Sequence, residues 1–139
     1  MQNPLRFARH TCVHAVLGLS ILAQATVAQA AGDNCKDVRI TLANRTADEI
    51  KITKLEYKDF DKNIFRTEAA FGLDGFQRLE RNKSFVTVQN LEHVDNDQTQ
   101  LRVTYKHRIG GTKFEDAVVV LGETFVCRDG TAITVKLNK

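Results

Sequence analysis

The chain has 139 residues, 42% of them hydrophobic and 27% charged, with one proline and no tryptophan. That length is room for one domain. There are 20 basic and 17 acidic residues, but residues 1–30 hold Arg6 and Arg9 and no acid, so 18 basic side chains face 17 acidic ones in the remainder. A near-neutral domain without a basic run lacks the electrostatic footprint of a nucleic-acid binder.

Arg6, Arg9 and His10 form a basic head, and Val16, Leu17, Leu19, Ile21 and Leu22 centre a short apolar stretch. Ala28-Gln29-Ala30 then supplies small residues at a cleavage site. The three parts together predict a secretory signal peptide over residues 1–30, leaving a mature domain over 31–139 in the periplasm or outside the cell. His14 and Gln24 bracket the apolar run, which is too short for the roughly 20 residues a spanning helix needs. No transmembrane segment is therefore expected after cleavage. Neither Cys12, after Arg9-His10-Thr11, nor Cys35, after Asp33-Asn34, ends a lipobox. Cleavage removes Cys12 and leaves Cys35 and Cys127, an even pair expected to form a disulfide in an oxidising compartment. Closing a loop of about 90 residues is worth on the order of 4–5 kcal/mol in the chain-entropy model.

From residue 38 onward a period of two dominates. Val38, Ile40 and Leu42 alternate with Arg39 and Thr41, and Asn44 to Asp48 reads as a turn. Ile50 and Ile52 continue the alternation, which slips by one before Leu55 and Tyr57, the mark of a bulge. Residues 84–90 make another strand, followed by Leu101, Val103 and Tyr105 alternating with polar neighbours. Gly110-Gly111 suits a two-residue hairpin loop. Asp129-Gly130 marks a turn between Phe125-Val126-Cys127 and a last strand carrying Ile133, Val135 and Leu137. No amphipathic helix is visible. The expectation is an all-β antiparallel β-sandwich of the immunoglobulin-like size class, with seven or eight strands and one disulfide. The layout resembles small secreted sandwiches of the immunoglobulin-like and aegerolysin-like kinds. It matches no motif of either, and the immunoglobulin tryptophan is absent, so no functional residue is carried over.

Catalysis finds little support. Ser84 is the single serine beyond the signal segment and lies in a predicted strand, outside any G-x-S-x-G. The paired cysteines are not nucleophiles, and His93 and His107 are the only histidines left. The chain is expected not to be an enzyme, with carboxylate- or metal-dependent chemistry as the remaining enzymatic alternative. Asp59, Asp61 and Asn63 open like an EF-hand loop, but Ile64 stands where glycine is needed and Ala70 where glutamate is needed, so a polar turn is expected. Glu92, His93, Asp95 and Asp97 form a second acidic stretch. Its His93, Asp95 and Asp97 are the candidate metal ligands, although neither a metal nor another cofactor is expected. Asn44-Arg45-Thr46 and Asn82-Lys83-Ser84 are glycosylation sequons, relevant only to export through an endoplasmic reticulum.

Two stretches point to a contact surface. Phe71-Gly72-Leu73-Asp74-Gly75-Phe76 looks like a loop yet carries three large apolar side chains. Phe71 and Phe76 are expected to turn towards the core, and Leu73, at the loop's centre, towards solvent. A hairpin loop at Gly110-Gly111 would set Arg108 opposite Lys113, His107 opposite Phe114 and Lys106 opposite Glu115. Like charges across a ladder repel, so Arg108 facing Lys113 points to an anionic contact. The candidate binding residues are thus Lys106, His107, Arg108, Lys113, Phe71, Leu73 and Phe76. The expected function is that of an exported binding protein acting by surface contact, as an inhibitor or immunity-type partner of a secreted enzyme or toxin. A lipid-binding or pore-forming module is the alternative. The partner is another protein or an anionic surface such as a lipid headgroup.

Overall fold

The computed structural model describes residues 34–138, so the signal peptide expected over 1–30 lies outside the described residues. Within them the chain is all β, with no helix. The strands are β1 (Cys35–Asn44), β2 (Ile50–Asp59), β3 (Ile64–Glu68), β4 (Gln77–Leu79), β5 (Ser84–Leu91), β6 (Gln98–Gly110), β7 (Lys113–Phe114), β8 (Val118–Val126) and β9 (Ala132–Leu137). A smaller sheet runs β5-β1-β9. In the larger sheet β2 and β6 form the centre, β3 and β4 both pair with β2, and β7 and β8 both pair with β6. Nine strands appear rather than seven or eight because each edge of the larger sheet is broken in two. The Phe71–Phe76 loop interrupts one edge, and residues 115–117 interrupt the other. The pairing is antiparallel throughout except between β1 and β9, which run parallel.

The alternation read from the sequence fills the space between the sheets. Val38, Ile40 and Leu42 of β1, Ile50, Ile52, Leu55 and Tyr57 of β2, and Leu101, Val103 and Tyr105 of β6 are all buried. Each such side chain contributes roughly 1.5–3 kcal/mol by leaving water. The phase slip in β2 is a register shift against β6 between Ile52 and Lys54, and it keeps both halves of the strand facing inward. Cys35 and Cys127 are bonded across 92 residues, with Cα atoms 5.9 Å apart, joining the start of β1 to the segment between β8 and β9. The bond suits an oxidising environment of the kind exported proteins meet. Among the described residues no helix is long and apolar enough to cross a membrane.

The hairpin register differs from the one expected. Gly110 pairs with Lys113, so the two loop residues are Gly111 and Thr112, not Gly110 and Gly111. Gly110 and Gly111 have φ of 128° and 51°, whereas Thr112 needs no left-handed backbone, as in a turn with glycine at its first central position. The ladder thereby moves by two residues at the start of β8 and, across an irregularity between Arg108 and Gly110, by one at Phe114. Arg108 faces Phe114 instead of Lys113, Tyr105 faces Val118 instead of Asp116, and Val103 faces Val120 instead of Val118. The shift of two keeps Val118 and Val120 on the core face, whereas the shift of one turns Phe114 from the His107 side of the sheet to the Arg108 side. The shift of two also replaces an aspartate opposite the buried Tyr105 with a valine, which is the physical reason the longer register wins.

The first sequon is structurally committed. The Asn44 amide nitrogen donates to the carbonyls of Asp48 and Leu79 at 2.8 and 3.0 Å, and its oxygen accepts from Thr46 N and Oγ1 at 2.9 and 2.8 Å. The side chain is fully buried. It serves as the clasp of the β1–β2 turn and is not presented to a modifying enzyme.

Candidate cationic and aromatic interface

The outer face of the larger sheet carries the side chains that alternate with the core. Lys51 lies between the buried Ile50 and Ile52 and so points outward. Its ladder partners are Arg78 on β4 and Lys106 on β6. Three cations thus stand in one row across three neighbouring strands. Two aromatic rings close the row. The Lys51 ammonium is 3.8 Å from the Phe76 ring centre and 5.8 Å from that of Phe114. The Arg78 guanidinium lies 5.9 and 5.7 Å from the same two rings. These are cation–π distances, and they bring the Phe71–Phe76 loop and the β6–β7 hairpin, far apart in sequence, into one surface.

The charges are unequally compensated. Glu49 binds Arg108 at 2.5 Å and stands 3.9 Å from Arg78. Arg108 also donates to the Gly111 carbonyl at 2.8 Å, which ties it to the hairpin turn. Lys51 and Lys106 have no carboxylate partner among the described residues. Further along the same face the pattern changes. Glu56 is almost fully buried beneath Arg102, which makes two hydrogen bonds of 2.7 Å to it, and Lys54, at 2.7 Å. The Arg102 hydrogen bonds, strengthened by Lys54, hold the Glu56 carboxyl below the usual carboxylate range despite burial. Arg102 stacks 3.7 Å over the Phe65 ring.

Of the residues singled out in the sequence, Phe76, Lys106 and Arg108 belong to this surface. Phe71 does not. It packs against the core, its ring 6.0 Å from that of Phe85. Leu73 is wholly exposed at 110%. Lys113 is exposed beside the hairpin turn, opposite Gly110. His107 points to the other side of the sheet, opposite Ile50, with its ring edge-on to Tyr105 at 5.3 Å. Lys51, Arg78 and Phe114 went unremarked in the sequence, because only the pairing of β2 with both β4 and β6 brings them together.

The opposite end of the sheet is acidic. β2 starts beside the cation row and ends at Asp59, and β6 begins just after the Glu92–Asp97 stretch. Asp59, Asp61, His93 and Asp97 line a cavity of about 160 Å³ there, whereas Asp95 accepts from the Asn96 amide at 2.9 Å. Burial works against the Asp59 charge, but two hydrogen bonds from Arg66 and one from the Lys62 N–H outweigh it and hold the carboxyl low. Among the described residues no three His, Cys, Asp or Glu side chains converge closely enough to hold a metal ion. Lys51 and Lys106 thus stand at one end of the β2–β6 pair, and Asp59, held by Arg66, lies with Asp61 and Asp97 at the other.

Comparison with known protein families, with characterised proteins and with solved structures gives no match.

Proposed function

We propose that the protein is an exported binding module, of the periplasm or the extracellular space, that engages an anionic partner by surface contact and not by catalysis. One observation carries this reading. Lys51 stands in register with both Lys106 and Arg78, and no carboxylate among the described residues pairs with Lys51 or Lys106. Like charges placed directly across a ladder weaken a sheet, and a local rule broken with only partial internal compensation is expected where an outside ligand supplies the rest. Phe76 and Phe114 add apolar contact area beside the charges, as protein-binding surfaces do. An acidic protein, such as a secreted enzyme or toxin held by an inhibitor or immunity protein, is the first candidate. The full exposure of Leu73, together with Ile109 at 57% beside the hairpin turn, favours a second reading: an anionic lipid surface touched by two apolar tips.

The test is capture from the compartment into which the protein is exported, using wild type and the variant Lys51→Gln/Lys106→Gln side by side. Sedimentation with anionic and with neutral vesicles runs in parallel. A protein partner retained by wild type, released by salt and lost with the variant supports the first reading. Sedimentation with anionic vesicles alone, lost with the variant, supports the second. Binding that is indifferent both to the two lysines and to salt would overturn the proposal.

A further inference from the structure

The smaller sheet ends on β5, and the way that edge is built differs from every other edge of the domain. β5 runs eight residues, Ser84 to Leu91, with no charged residue, no proline and no glycine. Among the described residues no strand lies beyond it. Long uncharged edges are templates for further pairing, and soluble domains blunt them with charges, bulges or short length. The other edges carry such devices. β3 holds Arg66 and Glu68, β4 and β7 are three and two residues long, β8 bends at a register shift and β9 holds Lys136. On β5 the outward side chains are Val86 and Val88, 47% and 51% exposed.

We infer that β5 is a dimerisation strand, pairing antiparallel with β5 of a second copy about a two-fold axis through Thr87. A two-fold axis brings each segment against its own kind, so a charged strand would repel itself, and β5 carries no charge. In that register Val86 of one copy lies directly opposite Val88 of the other on the outer face, twice by symmetry. The ends are complementary as well, because the strand is preceded by Lys83 and followed by Glu92, both exposed. Antiparallel self-pairing brings the lysine end of each copy to the glutamate end of the other. The two small sheets become one continuous sheet. The cation row, on the outer face of the larger sheet, is left uncovered in both copies.

Sedimentation velocity on the oxidised protein, purified from an exporting host, tests the inference over a wide range of concentration. Wild type should reach twice the monomer mass and stop there. Val86→Glu/Val88→Glu should stay at the monomer mass, because glutamate would meet glutamate across the axis. Val86→Lys/Val88→Glu should return to the dimer, because lysine would meet glutamate. Hydrogen exchange on wild type needs no variant: amides of Ser84–Leu91 that point away from β1 should gain protection as concentration rises. A monomer at every concentration would overturn the inference. So would equal behaviour of the two double variants, or salt-sensitive growth beyond a dimer, which would mark contact between the basic and acidic ends instead.

Discussion

Lys51 faces Lys106 directly across the β2–β6 ladder, and neither has an acid to neutralise it among the described residues. Such a pair costs the sheet about 0.2–1 kcal/mol. Lys51 recovers part of this from the Phe76 ring at 3.8 Å. Lys106 has no such ring contact among the described residues, so it is the informative position. Lys106→Gln should stabilise the fold by about 0.5 kcal/mol at low salt, a gain that shrinks as salt screens the repulsion, while weakening the anionic contact. Denaturant titration at two salt concentrations measures the first effect. A variant less stable than wild type at low salt would show that the row is not under repulsion.

The aromatic loop separates packing from contact. Phe71 lies against the core and Phe85, so Phe71→Ala should cost about 2–3 kcal/mol, somewhat below the loss for a fully buried ring. Leu73 touches water on all sides, so Leu73→Asp should change stability by no more than about 0.5 kcal/mol. If the lipid reading holds, that second variant also stops sedimenting with anionic vesicles. Thermal melting of both variants decides the structural half. A large loss at Leu73, or none at Phe71, would reverse their assigned roles.

The fold was more legible in the sequence than the site was, and particular residues show why. Alternation is local, so the strands carrying Val38, Ile40 and Leu42, the bulge before Leu55 and the Cys35–Cys127 pair could be read one segment at a time. Strand pairing between distant segments is not local. Nothing near Arg78 announces that β4 will lie beside Lys51, and nothing near Phe114 announces Arg78. The hairpin shows the limit most clearly, since Gly110-Gly111 and Gly111-Thr112 are both acceptable loops by their turn chemistry. The choice is made eight residues away, where Val118 packs opposite Tyr105 better than Asp116 would. The expected meeting of Arg108 with Lys113 does not occur, since Arg108 faces Phe114 and Lys113 faces Gly110; the like charges that do meet across a ladder are Lys51, Lys106 and Arg78, which no local signal places together. The split edges, which raise the strand count to nine, were illegible for the same reason.

The disulfide spans 92 residues and ties the first strand to the segment before the last. A link of that reach restricts the unfolded chain strongly, and losing it should cost about 2–5 kcal/mol. Cys127→Ser should therefore lower the melting temperature of the oxidised protein markedly, and wild type should match the variant once reduced. Alkylation and mass spectrometry on unreduced wild type should find neither Cys35 nor Cys127 free. Equal melting of variant and wild type under oxidising conditions would show that the bond contributes nothing.

Glu68 gives the domain a pH dependence of unusual sign. It sits on β3 opposite the buried Leu55, at the edge of the core. Burial, reinforced by the charge of Glu92, pushes its carboxyl up from 4.5 to about 6. Between those two values the folded chain holds a proton that the unfolded chain has released. Stability contributed by Glu68 is therefore fully present below about pH 4.5 and is lost as pH rises through about 6. Glu56 and Asp59 work in the opposite sense. Their carboxyls are held low, so their contribution is present above their ordinary values of 4.5 and 3.8 and fades as the solution becomes more acid. Glu68→Gln removes the first effect and leaves the other two. The variant should melt above wild type at neutral pH, the gap should close as pH falls through about 6, and the two should coincide near pH 4. Glu92→Gln should produce a smaller shift of the same sign, because it relieves only the second cause. Melting curves across that range measure both. A Glu68→Gln variant less stable than wild type at neutral pH would mean that the carboxylate is favourably held and that burial does not govern its titration.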